Sequence, residues 1–477
     1  MVFSDLFFLY AFLPAFMLFY LLAGGIDKGM GKSFAVRNAT IVVFSLLFYA
    51  WGEPVYVLLM LACVLVNYFA GIGIADSRGW LRKAALFVGV LDNILILSLF
   101  KYASFISRQL CGLGIDVPDL ELRLPIGISF YTFQSISYLV DVYRHEAPVQ
   151  RKLGGLLLYV SLFPQLIAGP IVRYGTIAHE IKQRKVTAAD FADGMFRFLV
   201  GLGKKVIFAN QLSEISGQLL HDGYGQLTTT GAWVGIVAFT LQIYFDFSGY
   251  SDMAIGIGRC MGFHFKENFN HPYCCNSITD FWRRWHMSLG SFFRDYVYIP
   301  MGGNRRHQAF NILVVWFLTG LWHGASWNFV IWGLYFGLIV MVEKYTLLRH
   351  QQQVPGLLLH LYCLLVVVAG WGIFYFDDFQ AMLGFFRTSV GIGATFHDFH
   401  TESSIFNYFY LWVAAIAFCL PLRRWVEGGF DWLTGRNAFL HGTLQLVYRV
   451  TASAILLAVS TALLVGATNN AFIYTRF

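Results

Sequence analysis

The sequence predicts an all-α polytopic membrane protein, and three observations carry that prediction. Hydrophobic residues make up 57% of the 477 residues and charged residues only 13%, where soluble domains hold about 45–50% and about 25%. Aromatic residues reach 18%, and Phe, Tyr and Trp suit lipid contact and the interfacial belts of a bilayer. The apolar residues also fall in long runs. So few charges cannot give a chain of this length a water-compatible surface. An ordinary soluble enzyme, a disordered chain and a nucleic-acid binder with a broad basic face are excluded.

A helix crossing about 30 Å of hydrocarbon needs roughly 20 apolar residues. Runs at 5–24, 55–74, 84–101, 124–142, 229–250, 327–343, 356–377, 405–422 and 449–468 qualify. Three others are interrupted. The run 40–51 stops at Gly52-Glu53-Pro54, 153–172 contains Pro164 and Gly169-Pro170, and 310–322 is short. Backbone that breaks at membrane depth is tolerated only where it lines a protein-enclosed cavity. About eleven spans with short re-entrant and interfacial helices are expected, in one membrane domain over 1–477. Phe7–Leu22 lacks a basic flank and a cleavage site, so it reads as a retained first span rather than a signal peptide.

The net charge of +7 reads as basic cytoplasmic loops. Lys28, Lys32 and Arg37, then Arg78, Arg82 and Lys83, then Arg144, Arg151 and Lys152 mark the cytoplasmic side, and the N-terminus falls outside. Asp377, Asp378, Asp398 and Glu402 mark 374–404 as external. The seven cysteines (Cys63, Cys111, Cys260, Cys274, Cys275, Cys363, Cys419) are odd in number with no C-x-x-C, and read as neither a disulfide framework nor a zinc site.

One stretch breaks the composition rule. Residues 263–308 form a polar segment holding Lys266, Glu267, Asp280, Arg283, Arg284, His286, Arg294, Asp295, Arg305 and Arg306 among Trp282, Trp285, Tyr296 and Tyr298. Its Trp and Phe beside Arg predict a helix lying at the interface over 277–293, with Asp280 paired to Arg283 or Arg284. Charge runs are usually solvated faces, but the aromatic density is wrong for a plain loop. Upstream, Asp246 and Asp252 sit in an apolar run. Intramembrane acids mark a site or pathway, unless each merely caps a helix or meets a nearby Arg.

A second feature is Leu321-Trp322-His323-Gly324-Ala325-Ser326-Trp327-Asn328. A histidine on an apolar face is often a satisfied core group. Here it sits at membrane depth between two Trp residues, before small residues that admit a substrate. Histidine is also the side chain suited to proton transfer near neutral pH. No serine-hydrolase elbow, zinc-protease helix or P-loop motif is present.

Several segments carry a resemblance. They are Phe163-Pro-Gln-Leu-Ile-Ala-Gly-Pro170, Tyr244-Phe-Asp-Phe-Ser-Gly-Tyr-Ser-Asp252, Asn268-Phe-Asn-His-Pro-Tyr273, Asp280-Phe-Trp-Arg-Arg-Trp-His-Met-Ser-Leu289, Phe293–Arg305 and Gly320-Leu-Trp-His-Gly324. The opening Met1-Val-Phe-Ser and Leu124–Phe133 fit as well. The chain resembles the membrane-bound O-acyltransferase family, and within it the branch typified by the bacterial alginate O-acetyltransferase membrane subunit. The likeness runs to about residue 340 and weakens after it. It implies a ring of helices around a central tunnel. It places the family's near-invariant histidine on His323 and the second functional histidine of the branch on His286.

The resemblance implies acetyl transfer from a cytoplasmic donor, acetyl-CoA or another acyl thioester, towards hydroxyls of an extracytoplasmic polysaccharide. No bound cofactor or metal is expected. His323 is the expected base and His286 the second catalytic histidine. Arg283, Arg284 and Arg294 suit an anionic donor, and a Trp indole (Trp322 or Trp327), Asn328 or a backbone amide beside Gly324 suits the oxyanion. Asp246 and Asp252 join the candidate binding residues. Alginate is favoured as acceptor, with cellulose or peptidoglycan the other options, and periplasmic partner subunits in a bacterial inner membrane complete the expectation. A transporter or flippase is the rival reading, since broken helices and intramembrane acids also fit transport.

Overall fold

The computed structural model describes residues 2–31, 34–118, 120, 122–220, 227–435 and 437–467, so Met1 and Lys32 lie outside the described residues. Every regular element among them is helical. Eight helices are long and apolar enough to cross a membrane: Phe8–Gly29, Ala35–Gly52, Tyr56–Asp76, Gly79–Gly112, Thr229–Cys260, Trp327–Gln353, Gly356–Tyr375 and Ala438–Val465. Shorter helices make up the rest, in keeping with the interrupted runs in the sequence.

The chain divides into two compact units. The first comprises 1–198 and 251–267. Its core is a cluster of Phe8, Phe12, Phe16, Phe48 and Phe163 rings. The turn between the first two spans closes on buried Asp27, whose carboxylate accepts from Val36 N at 2.8 Å and Arg37 N at 3.1 Å. The next two spans are joined by Asn67 and Asn93, which exchange amide hydrogen bonds of 2.8 and 3.3 Å. Buried amide pairs of this kind hold apolar helices together where lipid gives no hydrophobic drive. Pro125 and Gly127 delay the predicted 124–142 run to Ile128–Tyr143, because Gly127 adopts φ +78° against the Leu166 carbonyl. The 153–172 run breaks as expected, into Leu153–Ser161 and Phe163–Leu166 around Leu162.

The second unit comprises 199–250 and 268–477. Its centre is a helical hairpin, Gln308–His323 and Trp327–Tyr345. A Cβ on Gly320 would strike the Phe329 carbonyl, and one on Gly333 the Trp316 carbonyl. Only glycine lets the two backbones approach this closely. The hairpin turn, 324–326, therefore starts right after His323. The predicted 405–422 span is broken instead into Phe399–Asn407 and Phe409–Phe418, and a 77° bend separates the latter from Leu422–Thr434. Pro421 ends the run there, since proline lacks the N–H that a continuing helix needs.

The predicted interfacial helix 277–293 is also corrected. It is two short helices, Ile278–Arg284 and Met287–Phe293, with His286 between them at φ 44°, ψ 52°. Phe281 and Trp285 are buried, the latter against Trp371 at 4.9 Å. The helix is docked by Glu343, a buried acid near the end of the hairpin's second arm. Its carboxylate accepts from Ile278 N at 2.6 Å, Thr279 N at 2.8 Å and Thr279 Oγ1 at 2.8 Å. A carboxylate at a helix N-terminus satisfies otherwise orphaned N–H groups and meets the positive end of the helix dipole.

Candidate active site

His323 is the last residue of Gln308–His323 and is 4% exposed. Trp332 packs on its ring at 4.9 Å and Phe374 at 5.3 Å, both nearly perpendicular. Trp322 flanks it at 4.9 Å. Another neighbour of Trp322 is His286, 5.8 Å away between ring centroids. Both histidines thus meet one indole, inside an aromatic enclosure completed by Phe247, 4.6 Å from His286. A neutral imidazole in such surroundings is a proton acceptor with little competing water. Burial alone pushes His286 down to about 3.

The network around His286 centres on Asn268. Its Oδ1 lies 3.1 Å from His286 Nδ1 and accepts from Ser288 N at 3.2 Å and Ser288 Oγ at 2.9 Å. Sequence reasoning placed Asn268 only within a resembling segment and gave it no role. Trp332 was missed as well, because one Trp in an apolar run carries no signal of its own. Its indole N–H is buried and has no acceptor among the described residues. Such donors are rare in folded proteins.

The remaining candidates have the following neighbours. Asp246 meets Lys205 at 2.7 Å in a buried ion pair. Asp252, in the first unit, accepts from Arg197 Nε and Nη2 at 3.1 and 2.8 Å, and Arg197 also holds Glu267. Both acids thus follow the alternative of pairing with a nearby base. Arg284 pairs with Asp280 at 3.0 Å, four residues back, and Arg294 with Asp295 at 2.6 Å. Arg283 is exposed and acts electrostatically on Lys344, a second cation that the sequence reading did not single out. Trp327 is 55% exposed. The Asn328 side-chain amide donates to the Phe376 carbonyl.

Residues 46–386 match the membrane-bound O-acyltransferase family. The chain belongs to that family. It is accordingly an O-acyltransferase and a multi-pass membrane protein, as the sequence predicted. It is 40% identical to "Probable alginate O-acetylase AlgI" of Pseudomonas aeruginosa, over 82% of this chain and 75% of that one. It is 31% identical to the peptidoglycan O-acetyltransferase of Helicobacter pylori, over 82% of this chain and 80% of that one. A teichoic acid D-alanyltransferase of Bacillus subtilis is 28% identical over 53% of this chain and 66% of its own length.

Proposed function

We propose that this O-acyltransferase moves an acetyl group from a cytoplasmic thioester, acetyl-CoA in the simplest case, towards hydroxyls of an extracytoplasmic polysaccharide. Alginate is the favoured acceptor, because the relatives named for alginate O-acetylation are about 40% identical and the one named for peptidoglycan 31%. The chain sits in the bacterial inner membrane with its N-terminus in the periplasm. Periplasmic partner subunits complete the transfer to the glycan.

The observation that carries the chemistry is the pair of buried histidines on the Trp322 indole. His323 takes the proton of the attacking hydroxyl. His286 orients His323, carries the second proton or holds the donor. Trp332, which the sequence did not single out, joins Trp322 as a donor to the oxyanion, both being buried and in contact with His323. Asn328 is engaged with Phe376. Arg283 with Lys344 supplies paired positive charge for the donor's phosphates.

Replacement of His323 by Ala tests the reading. With normal expression, acetylation should fall by about 10²–10⁴, the contribution of a positioned general base, while polymer is still exported. Loss of export itself would favour transport. Full-rate acetylation of polymer by the purified chain alone would remove the partner relay.

A further inference from the structure

We infer that Asn268 is a positioning residue that fixes the tautomer of His286, so that His286 acts as a neutral acceptor through Nε2 and not as a cation. This rests on the reading above that the two histidines form the catalytic centre.

The assignment follows from one donor that has no choice. The Ser288 backbone N–H can only donate, and it points at the Asn268 side-chain atom 3.2 Å away. That atom is therefore the amide oxygen and not the nitrogen. The same oxygen lies 3.1 Å from His286 Nδ1. An acceptor at that distance requires a proton on Nδ1. In a neutral imidazole with its proton on Nδ1, the lone pair is on Nε2. Phe247, Trp322, Asn268 and Ser288 face the ring, from four separate segments. None of them carries a charge that would stabilise an imidazolium, and burial acts in the same direction.

The backbone is held by the same residue. His286 is left-handed, a conformation that a residue with a Cβ disfavours. Such strain persists where the surroundings over-determine it. Here the Asn268 carbonyl accepts from Met287 N at 3.0 Å while its side chain accepts from Ser288 N and Oγ. Asn268 thus sets ring and main chain together.

The consequence narrows the three roles open to His286. Holding an anionic donor by charge needs an imidazolium, which this environment disfavours. Accepting a hydrogen bond, from the acceptor hydroxyl or from an N–H of His323, needs only the Nε2 lone pair and leaves the ring neutral.

Two isosteric substitutions separate the nitrogens. In His286→Asn the amide nitrogen takes the place of Nδ1 and can still donate to Asn268, but nothing remains at Nε2. Membranes holding the full chain and supplied with labelled acetyl-CoA should lose transfer by about 100-fold, with KM for acetyl-CoA unchanged. Asn268→Asp keeps the acceptor and should keep transfer at high pH. Its added carboxylate favours the imidazolium, so the acidic limb of the rate profile should move to higher pH. Asn268→Leu should lose about tenfold or more. Wild-type transfer by His286→Asn, or a rise in KM alone, would overturn the inference, as would an unshifted profile in Asn268→Asp. If Asn268→Leu does not accumulate, His286→Asn decides. Full activity in His323→Ala, measured alongside, would instead condemn the catalytic reading itself.

Discussion

The ring centroids of His286 and Trp322 lie 5.8 Å apart, and the same indole flanks His323 at 4.9 Å. Two histidines from different segments of the chain are thereby set around one flat, rigid spacer. An indole holds such a spacing well because it has only two side-chain torsions and a large area to bury.

Trp322→Phe should therefore keep much of the packing and part of the activity, whereas Trp322→Ala should lose nearly all transfer. Truncating a buried Trp costs about 3–5 kcal/mol, so the Ala variant should also melt earlier. Thermal unfolding in detergent and acetyl transfer measured on the same preparations check both.

Trp332→Phe removes one N–H and little volume. If that N–H faces the developing oxyanion, transfer should fall by about 10²–10³ with KM for the donor unchanged, as for loss of one oxyanion donor elsewhere. An unchanged rate would assign Trp332 to packing alone.

Glu343→Gln leaves one carbonyl oxygen where two carboxylate oxygens serve three donors at Ile278 and Thr279. Stability should drop by about 1–3 kcal/mol. The helix bearing Arg283 should loosen, and KM for acetyl-CoA should rise. Melting temperature and a donor titration read the two effects separately.

Acid should destabilise the protein through His286. Burial lowers its folded-state value from 6.5 to about 3, so below 6.5 the unfolded chain binds a proton that the folded one does not. This contribution to stability is complete above 6.5 and is lost progressively as pH falls towards 3. Thermal melts from about pH 8 to about pH 5 should steepen below the ordinary histidine value, and His286→Gln should flatten that slope.

Much of the architecture was legible because it depends on local composition. The broken 153–172 run and the short 310–322 run announced their own interruptions through Pro164 and through length. The 277–293 helix was misread because its break comes from a left-handed His286, and no residue-type rule predicts that conformation for histidine. Asp246 and Asp252 looked alike in sequence. Their partners, Lys205 and Arg197, lie in other segments, and only packing shows which bases they meet.

The sequence alone determined that this is a helical membrane protein with a histidine closing an apolar run, since hydropathy and residue type are properties of each segment by itself. Tertiary structure alone decided that His286 meets the Trp322 indole, that Asn268 holds its Nδ1 proton, and that Glu343 anchors the helix before it. Those contacts join distant parts of the chain. They depend on close packing and on hydrogen-bond geometry a few tenths of an ångström wide, which no local pattern encodes.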